Sequence, residues 1–285
     1  IHFNYRLALA AVEAGAAKIR LNPGNLKDKG QVEAVAQACR ERKIPIRIGV
    51  NAGSISPEVK DRFDDVGSPV ERTARAMTES AWGHIRLLEE AGLGDIVVSL
   101  KACDVPTTLR ANRILAEEGD YPLHLGVTEA GRPPAGLVRS SVGIGILLAE
   151  GIGDTIRVSL TAPPVDEARA GREILKALNL ETFGLTIISC PTCGRCRVDI
   201  ADMAARAEEL LAPLEARLKE RKRSLQVAIM GCEVNGPGEA KEADLGLAGG
   251  KGKATLFSRG ELICTLPTEE AFEKLVEEAR KRVEI

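Results

Sequence analysis

Short apolar segments rich in β-branched residues alternate with helical segments over roughly the first 180 residues of the chain. Such alternation is typical of a parallel sheet with helices packed outside it. The pattern therefore predicts an α/β fold. The predicted strands are 17–22, 44–51, 96–101, 123–129 and 155–160, and the predicted helices include 31–43, 69–91 and 107–119.

Each of these strands ends in polar residues. In a (β/α)8 barrel the C-terminal ends of the strands form the active-site face. One strand can become polar simply where it leaves the core, but five in succession favour a site. We therefore predict a TIM-type (β/α)8 barrel. The polar strand-end residues are Arg20, Asn22, Arg47, Asn51, Ser99, Lys101, Thr128, Glu129, Arg157 and Ser159.

The strand count is lower than a closed barrel requires. Five strands and a stub at 1–3 give six, whereas a barrel has eight. We interpret the first two βα units, roughly 60–80 residues, as missing from the N-terminus, and we expect no closed barrel. Residues 1–182 are predicted to form a substrate-binding barrel domain, and 183–285 a small α+β domain.

The alternation changes in the second predicted domain. We expect strands at 185–189 and 225–230, and a flexible turn at 246–252. A hairpin and two helices complete this prediction. The hairpin is predicted at 254–266, and the helices at 201–221 and 268–282.

Composition excludes several classes of function. The net charge is -2 and the chain has only one Trp, two Tyr and five Phe, which argues against a nucleic-acid partner. No apolar run approaches the roughly 20 residues that cross a bilayer, and the first residues do not resemble a signal peptide. We therefore expect a cytoplasmic protein with no membrane association.

Four of the seven cysteines lie close together in the sequence: Cys190, Cys193, Cys196 and Cys232. Clustered cysteines in a chain without a secretory signal favour a metal over disulfides. The Cys-x-x-Cys-x-x-Cys spacing resembles that of ferredoxins, and the glycine-rich loop 235–238 would let backbone amides approach bridging sulfides. An iron–sulfur cluster is the favoured interpretation. Structural zinc and cysteines buried as small hydrophobic residues are the alternatives.

The fourth ligand of such a cluster is ambiguous from the residues alone. Cys196 would complete a set of four thiolates. Glu239 lies seven residues after Cys232 across the glycine turn, and its carboxylate would be a more easily displaced ligand. Spacing alone favours Cys196.

Several motifs together resemble the 4-hydroxy-3-methylbut-2-enyl diphosphate synthase (IspG/GcpE) family, and the resemblance extends over the whole chain. No single motif would be specific, but the combination is. The motifs are 20–25 (RLNPGN), 45–54 (PIRIGVNAGS), 123–131 (LHLGVTEAG), 188–195 (ISCPTCGR) and 231–240 (GCEVNGPGEA).

The resemblance implies reductive ring opening and dehydration of 2-C-methyl-D-erythritol 2,4-cyclodiphosphate, with electrons from ferredoxin or flavodoxin. It implies a homodimer in which the cluster domain of one subunit caps the barrel of the other. It also implies a [4Fe-4S] cluster on Cys190, Cys193, Cys232 and Glu239, which replaces our spacing-based choice of Cys196.

The resemblance further implies roles for the strand-end residues. Glu129 and Glu239 are the implied catalytic residues. His124 lies five residues before Glu129, so strict strand alternation would place the two on opposite faces. The implied substrate-binding residues are Arg20, Asn22, Arg47, Asn51, Lys101, Arg157 and Ser159.

Two other functions compete with this interpretation. A non-catalytic electron carrier or zinc-stabilised binding module would not need the four strand-end cations. A barrel enzyme with a purely structural metal would accept zinc, and an absorption spectrum separates it from an iron–sulfur enzyme.

Overall fold

The computed structural model describes residues 1, 4–26, 28–234 and 236–284. The chain divides into two compact units, Ile1–Glu181 and Thr182–Ile285. The strand stub expected at 1–3 includes residues 2 and 3, which lie outside the described residues. Within the described ranges, none of the helices has the length and apolar character needed to cross a bilayer.

The first unit alternates helices and strands, as the sequence predicts. A single 3-10 turn, Ala52–Ser54, follows its second strand. In chain order the elements are α1 (Tyr5–Glu13), β1 (Ile19–Leu21), α2 (Lys29–Glu41), β2 (Ile46–Asn51), α3 (Pro57–Asp61), α4 (Pro69–Glu90), β3 (Ile96–Lys101), α5 (Val105–Glu118), β4 (His124–Leu125), α6 (Ala135–Ala149), β5 (Thr155–Ile156) and α7 (Pro164–Ala177).

The strands of this unit run parallel in sequential order. β1, β2 and β3 form one sheet and β4 and β5 another, and a parallel bridge between Val98 and Leu123 connects β3 to β4. Ile46, Ile48 and Leu100 are fully buried between the strands and the helices. The parallel α/β architecture is confirmed, and within the described residues the strands form an open arrangement rather than a closed barrel.

Helix starts follow from their capping residues. The Asp28 side chain accepts a hydrogen bond from the Gln31 N–H at 2.8 Å, and Asp104 accepts one from Thr107 at the same distance. Such caps satisfy N–H groups that have no partner within the helix. As a result, α2 and α5 each begin two residues before the predicted starts.

The fourth and fifth strands are shorter than predicted. β4 ends at Leu125, and the chain then turns at Thr128–Glu129, where Glu129 has φ 53°. The Thr128 N–H donates to the Ala102 carbonyl at 3.1 Å, so the backbone stays attached to the neighbouring connection without extending the ladder. The prediction of a continuous strand over 123–129 is therefore wrong.

The second unit is a five-stranded mixed sheet with helices. Its strand order is β10-β9-β8-β7-β6, in which β6, β7 and β8 are parallel and β8, β9 and β10 antiparallel. Its elements are β6 (Gly184–Ser189), α8 (Ile200–Leu211), α9 (Leu214–Glu220), β7 (Ser224–Met230), α10 (Gly236–Glu242), β8 (Leu245–Gly249), β9 (Lys253–Ser258), β10 (Glu261–Pro267) and α11 (Thr268–Glu284).

Two predictions for this unit are wrong. The helix expected over 201–221 is broken at Pro213, because proline lacks an N–H and clashes with the preceding turn. The turn expected at 246–252 is largely strand β8. A Cβ on Gly246 would lie 2.1 Å from the Ala240 carbonyl oxygen, so glycine allows α10 to pack directly on the strand. The predicted hairpin at 254–266 is confirmed.

Candidate functional site

Four cations of the first unit lie close enough to affect one another: Arg20, Arg47, Lys101 and Arg157. Lys101 ends β3 and Arg157 directly follows β5. The prediction of a strand-end position is wrong for Arg47, which is the second residue of β2. Arg20 and Arg47 are paired in register on β1 and β2. Burial, and after it the charges of the three arginines, lower the pKa of Lys101 to about 7. The structure therefore brings these predicted residues together. We refer to them as the cation cluster.

The cation cluster lacks ion pairs with acidic side chains among the described residues. None of its four members forms an ion pair with a carboxylate in the described part of the chain. Lys101 is only 8% exposed. A buried charge without a partner raises the free energy of the folded state. Such a cluster therefore favours the binding of an anion.

Glycines make room for two of these side chains. The Arg20 guanidinium lies across Gly49 of β2 and donates from Nη2 to the Gly49 carbonyl oxygen at 2.7 Å. The Lys101 amine lies beside Gly126, where a Cβ would be 2.7 Å from Nζ. In both places a cation lies beside a glycine of a neighbouring segment, in β2 or directly after β4, where a larger residue would collide with it.

Neutral polar groups surround the cluster. The Asn22 side chain is buried, and its Oδ1 accepts hydrogen bonds from the Gly24 N–H at 3.0 Å and the Ser54 hydroxyl at 3.2 Å. Asn51 is paired in register with Lys101. Ser159 is half-buried, two residues after Arg157. Their roles as substrate-binding residues stay predictions.

His124 also faces the cation cluster. Its Nδ1 lies 2.9 Å from the Thr155 hydroxyl, and its Nε2 has no hydrogen-bond partner among the described residues. Burial and neighbouring cations, Lys101 first among them, lower the pKa of His124 to about 3. Glu129 is exposed on the following turn. Strand β4 ends between His124 and Glu129, so the alternation of side chains along a strand does not apply to this pair. The prediction that alternation places them on opposite faces is therefore wrong.

The cysteines of the second unit lie on loops after adjacent parallel strands. Cys190 follows β6 and Cys232 follows β7, and the Gly231 N–H donates to the Cys190 sulfur at 3.2 Å. Cys232 is buried and Cys193 exposed. The backbone N–H of Arg195 lowers the pKa of the Cys193 thiol.

Glu239 lies on the exposed side of α10, not in an open loop. The predicted glycine loop is therefore wrong over residues 236–238, which begin that short helix, and Asn235 lies outside the described residues. Helix α10 packs against β7 and β8, and Glu239 and Cys232 belong to the same connection between these two strands.

The donor chemistry fits an iron–sulfur cluster better than a single ion. Across the described residues, no three His, Cys, Asp or Glu side chains converge on one metal position. Each iron of a [4Fe-4S] cluster takes its own protein ligand, so those ligands need not meet at one point. Three thiols on the loops after β6 and β7 and a carboxylate on α10 suit that requirement.

Comparison with known proteins identifies the family. Residues 1–172 match the GcpE TIM-barrel domain, and residues 186–281 match the GcpE protein C-terminal domain. The chain belongs to the GcpE family. The resemblance predicted from the motifs is thereby confirmed.

Curated GcpE relatives are similar over nearly the whole chain. A protein of Geobacter sulfurreducens is 53% identical over 281 residues, which are 99% of this chain and 76% of the relative. A protein of Clostridium perfringens is 51% identical over 276 residues, 97% of this chain and 75% of the relative. Both relatives are named 4-hydroxy-3-methylbut-2-en-1-yl diphosphate synthase (flavodoxin).

Sequence reasoning missed part of the GcpE site. It did not identify Gly49 and Gly126 as supports of the cation cluster or assign His124 to it. A signal was present, because each glycine lies two residues after a polar or charged residue, Arg47 or His124, within a predicted strand. An isolated glycine in a strand marks a close approach by another group.

Proposed function

We propose that the chain catalyses reductive ring opening and dehydration of 2-C-methyl-D-erythritol 2,4-cyclodiphosphate to 4-hydroxy-3-methylbut-2-enyl diphosphate. This reaction belongs to the methylerythritol phosphate route to isoprenoids. The substrate takes up two electrons and two protons and releases one water. The names of the relatives, at about half of all positions identical, support this assignment.

The cation cluster is the proposed diphosphate site, and it is the structural observation that carries the proposal. Arg47 and Lys101 bring positive charge that no described carboxylate neutralises, and guanidinium groups bind phosphate oxygens through charge-assisted hydrogen bonds. Asn22, Asn51 and Ser159 add neutral contacts. The cyclic diphosphate would be held with its ring toward the carboxyl ends of the strands.

The second unit is the proposed cluster domain. Cys190, Cys193, Cys232 and Glu239 would hold a [4Fe-4S] cluster, which would supply the two electrons one at a time. In this proposal the chain's own residues hold the cluster and deliver protons. Glu129 is exposed on its turn and is the proposed acid that protonates the departing hydroxyl.

The remaining assignments are also proposals. Residues 1–182 would form the substrate-binding barrel domain and 183–285 the cluster domain. Flavodoxin is the proposed electron donor, as the relatives' names suggest, with ferredoxin as a second donor. A homodimer in the cytoplasm completes the proposal.

The decisive experiment starts with protein purified without oxygen. Iron, acid-labile sulfide and the visible spectrum are measured first, and conversion of the cyclic diphosphate with reduced flavodoxin is measured next. We expect about four irons and four sulfides per chain, broad visible absorption and product formation. Stoichiometric zinc without visible absorption would contradict the proposal and favour a barrel enzyme with a structural metal.

A further inference from the structure

Cys196 is the cysteine of the Cys-x-x-Cys-x-x-Cys run to which the proposed cluster assigns no role. Its side chain is half-buried, and its sulfur donates to the Val198 carbonyl oxygen at 3.1 Å. By contrast, Cys193 is exposed on the same turn. Cys196 is thus part of the interior of the turn.

Gly231 brings the sulfurs of Cys190 and Cys196 together. A Cβ on Gly231 would lie 2.4 Å from the Cys196 sulfur and 3.6 Å from the Cys190 sulfur. Both thiols therefore border the same small space beside the glycine. Any side chain at position 231 would separate them.

Backbone hydrogen bonds hold this arrangement at the end of β7. The Arg197 N–H donates to the Gly231 carbonyl oxygen at 2.8 Å, and the Cys196 N–H donates to the Cys193 carbonyl at 2.9 Å. Five residues lie between Cys190 and Cys196, so closing a loop between them costs little additional chain entropy.

We propose that Cys190 and Cys196 form a reversible disulfide when the chain carries no cluster. The inference rests on the proposed function only in taking Cys190 as a cluster ligand. The oxidant is a small-molecule disulfide such as oxidised glutathione. One protein thiolate attacks it and releases one glutathione, and the second protein thiolate displaces the other. Two protein thiols lose two electrons and two protons, and one glutathione disulfide becomes two glutathione thiols.

The disulfide has two consequences for Cys190. It removes the thiolate from the ligand set, so an oxidised chain cannot accept a cluster until a reductant acts. It also protects that sulfur from oxidation to the sulfinic acid, which is irreversible for most proteins. Cys196 is therefore a protecting thiol for Cys190.

Peptide mapping tests the proposal directly. Cluster-free full-length chain is treated with oxidised glutathione, alkylated, and digested with trypsin without reductant. Trypsin cleaves after Arg195, so a Cys190–Cys196 disulfide joins two peptides, whereas a Cys190–Cys193 disulfide stays within one. We expect the joined pair in the wild type and in Cys193→Ser, and its loss in Cys196→Ser. A disulfide confined to one peptide, or loss of the joined pair in Cys193→Ser, would overturn the proposal.

Iron loading provides the second measurement. After exposure to hydrogen peroxide, which oxidises an unprotected thiolate to the sulfinic acid, and then to dithiothreitol, the wild type should recover most of its iron and sulfide, and Cys196→Ser should recover several-fold less. Equal recovery would contradict the protecting role. Never-oxidised wild type that takes up no iron would contradict the proposed function instead, and the disulfide map would be interpreted independently of that result.

Discussion

The Arg20 guanidinium lies flat across Gly49 and donates to its carbonyl oxygen at 2.7 Å. A Cβ at position 49 would lie 2.3 Å from the Arg20 Nε, and the three nearest atoms all belong to that side chain. Gly49→Ala should therefore displace the guanidinium while leaving the strand intact. Loss of one charge-assisted hydrogen bond is worth about 1.5–3 kcal/mol.

We accordingly expect Gly49→Ala to lower kcat/KM by roughly 10- to 100-fold, mainly through a higher KM, with little change in Tm. Gly53→Ala is the matched control, since nothing lies within 4 Å of its added Cβ. Steady-state kinetics on both variants checks this prediction. Unchanged kinetics in Gly49→Ala would mean that the Arg20 guanidinium does not bind the substrate.

Arg47 should matter through its charge. Arg47→Gln is expected to weaken binding of the cyclic diphosphate by at least about tenfold, because a charged hydrogen bond is lost. Arg86→Gln, an exposed substitution on α4, serves as the control. Calorimetric titration measures both affinities, and equal losses in the two variants would point to a general charge effect.

Anion binding should depend on pH through Lys101. Burial and the neighbouring arginines lower its pKa from 10.5 to about 7 in the folded chain. The charge of sulfate is constant between pH 6 and 9. Sulfate should bind most strongly at pH values below 7, and its affinity should fall as the pH rises and Lys101 loses its proton. Lys101→Arg should remove most of this dependence, because arginine stays charged.

The same pKa sets a stability trend. The unfolded chain holds the Lys101 proton up to about pH 10.5, whereas the folded chain releases it near 7. Between these values the unfolded state binds more protons, so this group makes the free energy of unfolding rise with pH. Relative to the wild type, Lys101→Met should therefore have its largest gain in the free energy of unfolding below pH 7. This gain should shrink as the pH rises toward 10. Urea unfolding at pH 6, 8 and 9.5 measures the trend.

Glu239→Cys separates cluster retention from turnover. A thiolate binds a cluster iron more strongly than a carboxylate does. The variant should therefore keep iron and sulfide contents near those of the wild type and lose most of its activity. Full activity with a complete cluster would show that the carboxylate has no special role.

The fold was predictable where burial dictates the pattern. Strand β3 has the predicted bounds, 96–101, because a strand covered on both faces needs a continuous apolar run. The strand β8 was missed because Gly246 and Gly249 replace the β-branched residues that signal a strand. A larger residue at either position would collide with the Ala240 carbonyl or the Val198 side chain. These contacts lie outside the strand and are not visible in its sequence pattern.

The candidate site was predictable as a set of residues rather than as an arrangement. Parallel strands place their carboxyl ends at one edge, so the proximity of Asn51 to Lys101 follows from strand order. Arg47 lies near the start of β2, and its interaction with Lys101 does not follow from strand order. The path of a long side chain across a neighbouring strand does not either, because it depends on which residue is paired opposite. The proximity of Cys196 to Cys190 was hidden for the same reason, since it depends on Gly231.

The contact of Gly246 with Ala240 has a consequence for Glu239. Helix α10 rests its backbone on β8 with no side chain between them at that point. This backbone contact thus fixes how closely the helix approaches the sheet. It thereby also fixes the height of the Glu239 carboxylate above the sheet. A single methyl group at position 246 would therefore displace the helix backbone and, with it, the Glu239 carboxylate.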